Sequence, residues 1–101
     1  MQEVNLKDND LSGPIPVSIG ELVSLTRLDL HNNQLSGQID NSVCALTILE
    51  FFLLDSNQLN GTIPECILCD MVSLRSLYMS FNYELEGNIP ECIDNLSQLY
   101  N

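Results

Sequence analysis

The sequence predicts an α/β solenoid of about four turns, with short parallel strands on one face and irregular or short helical segments on the other. Two periodic features predict it. Asn9, Asn33, Asn57 and Asn82 follow one another at intervals of 24, 24 and 25 residues, and Gly13, Gly37, Gly61 and Gly87 at 24, 24 and 26. The apolar residues keep the same phase, since Leu25, Leu28, Leu30 and Leu35 return as Leu49, Phe52, Leu54 and Leu59, and then as Leu74, Leu77, Met79 and Leu85. A fixed period of this length indicates a repeat architecture.

Each turn is predicted to begin with a strand. The alternation Leu28-Asp29-Leu30 directs two side chains inward and the middle one outward, which is the period-two pattern of a strand. Successive strands are then expected to pair in parallel at a spacing of roughly 4.8 Å. A parallel strand cannot reach its neighbour through a tight turn, so the rest of each repeat must return round the back. Pro16, Pro64 and Pro90 restrict that return path to extended or turning backbone.

The segment 25–39, LTRLDLHNNQLSGQI, and its three relatives resemble the LxxLxLxxNxLSGxIP signature of plant-type leucine-rich repeats. The resemblance covers residues 3 to 99. It implies a right-handed coil with the leucine strands on the concave face and a second short strand at LSGxIP. Two segments depart from the signature by one extra residue each, 66–72 and 82–85, and we expect loop bulges there.

The chain is predicted to form one domain, 1–101, with repeats at approximately 1–24, 25–48, 49–73 and 74–98 and the start of a further repeat at 99–101. Solenoids need polar capping elements at their ends, and the sequence offers none before Val4 or after Leu96. We therefore expect an uncapped piece of a longer array.

The asparagine that follows each strand has an expected structural role. Its amide can donate and accept hydrogen bonds, and so can satisfy backbone groups in the bends of adjacent turns. Asn9, Asn33, Asn57 and Asn82 are accordingly predicted to form a structural ladder.

The outward strand positions give the candidate binding residues. Polar groups dominate the first two turns, with Arg27, Asp29 and His31 in the second. Phe51, Leu53, Tyr78 and Phe81 occupy positions expected to face solvent in turns three and four, beside Asp55 and Arg75. An exposed apolar cluster ringed by polar groups usually marks an interaction surface. The alternative is that flanking repeats or caps of the parent protein cover these residues.

Charge and composition exclude several functions. A formal net charge of −11 makes nucleic acid and anionic membrane poor partners. No apolar run approaches the roughly 20 residues of a membrane span, so we expect no direct membrane insertion. The acidic residues form no catalytic constellation, which predicts that the chain is not an enzyme. His31 is the single histidine and Cys66-x-x-Cys69 lacks a second pair, so neither a metal site nor a cofactor is expected.

The four cysteines and two glycosylation motifs leave alternatives open. A bridge between Cys66 and Cys92 would join equivalent places in successive turns, but stacked side chains point the same way at the strand spacing or wider. A disulfide needs Cβ atoms about 3.8 Å apart, so packed thiols are favoured. Asn60-Gly61-Thr62 and Asn95-Leu96-Ser97 match the N-glycosylation pattern, which makes Asn60 and Asn95 candidate acceptors in a secreted parent.

The resemblance implies protein or peptide recognition, as in the ectodomains of plant receptor-like kinases and receptor-like proteins. Two alternatives are a secreted inhibitor of cell-wall-degrading enzymes, similar to polygalacturonase-inhibiting proteins, and an intracellular scaffold with reduced thiols and empty glycosylation motifs. The resemblance favours a secreted or plasma-membrane parent, although the chain carries no targeting segment of its own.

Overall fold

The computed structural model describes residues 2–86, and they form two parallel sheets joined by short helices. The first sheet has the order β1 (Gln2–Asn5), β3 (Leu25–Asp29), β5 (Phe51–Leu53) and β7 (Ser76–Tyr78). The second has the order β2 (Ser12–Gly13), β4 (Gln34–Gly37), β6 (Gln58–Thr62) and β8 (Glu84–Glu86). Strands of the two sheets alternate along the chain, so each turn contributes one strand to each. The predicted solenoid and its second short strand are confirmed.

The register of the first sheet stacks equivalent residues of successive turns. Leu28 lies opposite Val4 and Phe52, and Phe52 lies opposite Leu77. Asp29 lies opposite Asn5 and Leu53, and Leu53 opposite Tyr78. The outward columns expected from the repeat are therefore the columns of the sheet.

The leucine positions of turns two to four form one continuous core. Leu28, Phe52, Leu54 and Leu59 have no exposed surface, and Ile39, Val43 and Ile67 close the core from the return path. The first turn differs, because Leu6 and Leu11 are 44% and 39% exposed. They occupy the positions of the buried Leu30 and Leu35, but β1 and β2 are edge strands of their sheets in this structure.

Short helices lie on the return path between the second and first sheets. Two are 3₁₀ helices, Val17–Glu21 and Asn41–Ala45, and one is an α-helix, Glu65–Cys69. Pro16 and Pro64 precede the first and third, and Asp40 precedes the second, where its carboxylate accepts a hydrogen bond from the Ser42 backbone N–H at 2.8 Å. A side chain that caps the helix thus stands where the other turns have proline.

The extra residue in segment 66–72 lies at the end of a helix, which corrects the expectation of a loop bulge. The Asp70 N–H donates to the Cys66 carbonyl at 2.8 Å, which closes a full α-helical turn where the second repeat has a 3₁₀ turn. An α-helical turn holds more residues than a 3₁₀ turn, so the added residue is absorbed there. The other insertion does form a turn, at Tyr83, with the Leu85 N–H donating to the Asn82 carbonyl.

A disulfide joins Cys44 and Cys66, which corrects the expectation of packed thiols. Their Cα atoms are 5.8 Å apart, inside the range that a disulfide spans. The two cysteines are 22 residues apart, not a whole repeat, so they are not stacked equivalents and the argument from parallel side chains does not apply to them. Cys69 is also disulfide-bonded. Because Cys66 is bonded to Cys44, the alternative bridge from Cys66 to Cys92 does not form, and Cys92 itself lies outside the described residues.

The asparagines after the strands link successive turns. Asn57 Oδ1 accepts from the Leu35 N–H at 3.0 Å, while Nδ2 donates to the carbonyls of Leu30 and Leu54 at 3.0 and 3.1 Å. Asn33 and Asn82 make the equivalent bonds, and all three side chains are buried. Asn9 is exposed, and its amide donates only within its own turn, to Leu6 and Lys7.

Candidate partner-binding surface

The candidate surface is the outer face of the first sheet. We use this name for the outward side chains of β1, β3, β5 and β7 and for the residues that directly follow each strand. Parallel pairing places these side chains in columns that cross the sheet, so residues 24 or 25 positions apart become neighbours. The predicted binding residues of turns two, three and four therefore share one surface.

A buried carboxylate organises the polar half of this face. Asp29 is 1% exposed, and its Oδ1 lies 2.5 Å from His31 Nδ1 and accepts the His31 backbone N–H at 3.3 Å. Its Oδ2 lies 3.6 Å from Arg27 Nη2. Burying a carboxylate is costly unless it is paired and hydrogen-bonded, so these contacts hold Arg27 and His31 around Asp29. Arg27 also lies over the Phe51 ring, 5.3 Å from its centroid, within cation–π range.

Two residues predicted to face solvent are covered. Leu53 is 7% exposed and Asp29 1% exposed. Both lie in the same column of the sheet, in which Leu53 pairs with Asp29 on one side and with Tyr78 on the other. The expectation that Leu53 presents an exposed apolar group is wrong, and Asp29 cannot contact a partner directly as the structure stands. Phe51, His31 and Asp55 are half-buried, and Arg75 is exposed.

The fourth turn presents aromatic side chains to solvent. Tyr78 is 43% exposed, Phe81 61% and Tyr83 87%, and we call these three residues the aromatic patch. The rings of Phe81 and Tyr83 meet edge to face, with centroids 6.2 Å apart and planes at 71°. The repeat pattern drew attention to Tyr78 and Phe81 but not to Tyr83. The sequence could have indicated Tyr83, because it is an aromatic residue at an inserted position. Inserted residues lie outside the buried positions of the repeat.

Phe81 occupies a left-handed backbone conformation. The residues that precede the ladder asparagines all have positive φ: Asp8 at 58°, Asn32 at 58°, Ser56 at 59° and Phe81 at 60°. Asn and Asp tolerate this region well, and Asn32 Nδ2 donates to Asp8 Oδ1 at 2.8 Å. A bulky residue there is strained by about 1–2 kcal/mol. Phe81 therefore combines a strained backbone with a mostly exposed ring.

The basic side chains of this acidic chain all lie along the first sheet. The sequence has three lysines and arginines against fourteen acidic residues. Lys7 follows β1, Arg27 is in β3 and Arg75 directly precedes β7, where its guanidinium lies 3.8 Å from Glu50. The outer face thus carries both signs of charge, while the rest of the chain is acidic.

The described residues contain no group of three or more His, Cys, Asp or Glu side chains placed to hold a metal ion. Within residues 2–86 no helix has the length and apolar character to cross a membrane.

A leucine-rich repeat family model matches residues 1–22, 24–46 and 73–96, more than half of the chain. Residues 47–72 are unmatched, yet they contain β5, β6 and the α-helix Glu65–Cys69 in the same arrangement. The inserted residue and the cysteines of that segment distinguish it from the repeat pattern. No curated protein sequence matches the chain.

Solved structures with the same fold include plant receptors. The PEPR1–AtPEP1 structure has a TM-score of 0.91 at 30% identity and covers 98% of this chain. The plant peptide hormone receptor RGFR1, solved with RGF2, has a TM-score of 0.90 at 38% identity over 95% of the chain. The Arabidopsis receptor kinase HAESA ectodomain, solved with an IDA peptide hormone, has a TM-score of 0.88 at 37% identity over 97% of the chain.

The chain spans 14%, 15% and 16% of these three proteins respectively. Its matched repeats, its paired parallel sheets and the asparagines that link its turns agree with one another. The chain belongs to the leucine-rich repeat family.

Proposed function

We propose that the chain is a recognition module that holds a protein or peptide against the outer face of its first sheet, as part of an extracellular receptor-like ectodomain. Partner contacts are assigned to Arg27, His31, Phe51, Asp55, Arg75, Tyr78 and Phe81. Asp29 positions Arg27 and His31. Leu53 is buried and pairs with Asp29 in the sheet.

The observation that carries this proposal is the exposed pair Tyr78 and Phe81 on the outer face. Aromatic side chains dominate binding energy in protein interfaces when a polar rim surrounds them. Phe81 gains little from burial and has an unfavourable backbone conformation, so stability of the fold does not account for it. Strain of this kind is concentrated at functional sites.

The polar half of the face supports the same proposal through preorganisation. The paired Asp29 carboxylate holds Arg27 and His31 in place before a partner arrives, and Phe51 holds Arg27 from the other side. Side chains already fixed lose less conformational entropy on binding. A partner would therefore meet oriented donors beside the aromatic anchors.

The extracellular assignment is supported by the Cys44–Cys66 disulfide, because disulfides persist in oxidising compartments and are rare in the cytosol. It is also supported by the peptide hormones named in the RGFR1 and HAESA structures.

Peptide selection tests the binding face. A random peptide library displayed on phage is panned against the secreted chain, and the enriched peptides are measured against Tyr78→Ala and Phe81→Ala. We expect each substitution to weaken binding about tenfold or more, the usual loss at an interface anchor. Val17→Ala is the matched control, because Val17 is 63% exposed on the return path, away from the first sheet, and its loss should leave affinity unchanged.

Failure to enrich any peptide, or enriched peptides that are insensitive to both aromatic substitutions, would contradict the binding proposal. The placement is tested separately by fusing a pH-sensitive fluorescent protein to the full-length product in its native cells. Signal confined to the cytosol would contradict the extracellular part alone.

A further inference from the structure

We infer that Asn60 carries an N-linked glycan whose first sugar residue packs on the Tyr83 ring, in a groove on the outer side of the second sheet. This inference rests on the proposed extracellular placement, since the modification occurs in the secretory pathway. It adds a specific modification site, Asn60, and a side chain that contacts the sugar, Tyr83. It also predicts that the first sheet stays uncovered by the glycan.

Asn60 points towards solvent from the second sheet. It lies in β6 next to Leu59, which has no exposed surface and points into the core, so the alternation of the strand directs Asn60 outward. Thr62, the third residue of the Asn60-Gly61-Thr62 motif, also points outward and is exposed. Both side chains that the modification requires are therefore on the solvent side of the second sheet.

A groove lies beside Asn60. It has a volume of about 450 Å³ and is lined by Ser36, Asn57, Gln58, Asn60, Tyr83 and Glu84. Glu84 is the direct partner of Asn60 across the sheet, and Tyr83 precedes it. The lining combines one aromatic ring with amide, hydroxyl and carboxylate groups. That combination suits a sugar, whose C–H face stacks on an aromatic ring while its hydroxyl and acetamido groups form hydrogen bonds.

The inserted Tyr83 does not pack in the core. It is the residue by which the fourth turn exceeds the second and third, and 87% of it is exposed. A tyrosine that adds nothing to the core is accounted for if a covalently attached group covers it. Phe81 contacts the Tyr83 ring edge to face, so one face of that ring can remain free.

The chemistry is a group transfer from a polyprenyl diphosphate-linked oligosaccharide. The Asn60 side-chain nitrogen forms a bond to the anomeric carbon of the first sugar, the bond from that carbon to the diphosphate oxygen breaks, and the amide loses one proton. The polyprenyl diphosphate leaves. The oxidising compartment in which Cys44 and Cys66 pair belongs to the same pathway.

The placement has a consequence for recognition. The glycan would cover the outer side of β4, β6 and β8, whereas the proposed partner lies on the sheet formed by β1, β3, β5 and β7. The glycan therefore directs approach to the first sheet, and it borders the partner where the Tyr83 ring meets Phe81.

The first experiment measures occupancy at Asn60. The chain is secreted behind an added signal peptide in the Asn95→Gln background, so that Asn60 is the one remaining acceptor motif in the sequence. Mass spectrometry should find Asn60 glycosylated, with occupancy lost in Thr62→Val and kept in the matched control Thr62→Ser. A bare Asn60 in the secreted chain would overturn the inference.

The second experiment tests the contact with Tyr83. Endoglycosidase H trims the glycan to a single N-acetylglucosamine, and its effect on Tm is measured relative to unglycosylated Thr62→Val, with Tyr83 and with Tyr83→Ala. We expect the sugar to raise Tm by about 4 °C when Tyr83 is present and by much less in Tyr83→Ala. Nuclear Overhauser contacts between the sugar protons and the Tyr83 ring provide a readout that does not depend on stability.

An equal rise in Tm in both backgrounds, without such contacts, would overturn the Tyr83 assignment even if Asn60 is glycosylated. The extracellular placement and the glycan contact can fail independently. If forced secretion yields an occupied Asn60 that contacts Tyr83 while the native product stays in the cytosol, the extracellular proposal fails and the structural inference stands.

Discussion

At the scale of single residues, Phe81 has an exposed ring that the proposed binding uses and a backbone conformation that lowers the stability of the fold. Its φ of 60° suits asparagine, which occupies the equivalent position at residue 32. Phe81→Asn should stabilise the chain by about 1 kcal/mol by removing the strain. Because the ring is 61% exposed, little packing is lost. Chemical denaturation measures the change. Phe81→Ala is the control, since alanine removes the ring but keeps the strained conformation, and only the asparagine variant should gain stability. A loss of stability in Phe81→Asn would show that the ring contributes to packing.

The buried asparagines allow a matched comparison within one chain. Asn57→Ala would leave the Leu35 N–H without its side-chain acceptor, whereas the Leu30 and Leu54 carbonyls would keep bonds from the Asn33 and Asn82 amides. An unsatisfied buried N–H costs about 1–3 kcal/mol, so we expect a loss of about 2 kcal/mol in the free energy of unfolding. Asn9→Ala removes the equivalent residue of an exposed turn and should cost less than about 0.5 kcal/mol. Equal losses at the two positions would show that bonding between turns is not what the buried asparagine contributes.

At the scale of elements, Gly20 sets how closely the two 3₁₀ helices approach. A Cβ atom at Gly20 would lie 2.3 Å from the Ser42 carbonyl oxygen, and that atom belongs to backbone that cannot rotate away. Gly20→Ala should therefore force the helices Val17–Glu21 and Asn41–Ala45 apart and destabilise the chain by about 1–3 kcal/mol, as overpacking does. Ser18→Ala in the same helix, at an exposed position, is the control and should have little effect. Thermal unfolding of both variants decides the matter, and an unchanged Tm in Gly20→Ala would contradict the close packing.

The elements also show where sequence reasoning succeeds and where it stops. The strands, their register and the inward columns followed from one period, because a repeat must bury the same positions in every turn. The Cys44–Cys66 disulfide did not follow, since the two cysteines occupy different places within their turns and only the path of the helices brings them together. The burial of Leu53 and Asp29 was missed for a related reason. Alternation along a strand gives the direction of a side chain, but the bulk of neighbours on adjacent strands decides how much water reaches it.

At the scale of the whole molecule, stability should vary along the coil because each turn contacts only its neighbours. The first turn exposes Leu6 and Leu11, whereas the equivalent Leu54 and Leu59 of the third turn are fully buried between turns on both sides. The Cys44–Cys66 bridge further ties the second turn to the third. Local opening should therefore require the least free energy in β1 and β2 and the most in β5 and β6.

Native-state hydrogen exchange measures the free energy of local opening directly. We expect amides of Leu6 and Asp8 to exchange well before those of Leu54 and Ser56, although each donates an equivalent hydrogen bond across the sheet. Equal protection in the two turns would mean that the chain opens as a single cooperative unit, with coupling along the coil strong enough to override the exposure of its first turn.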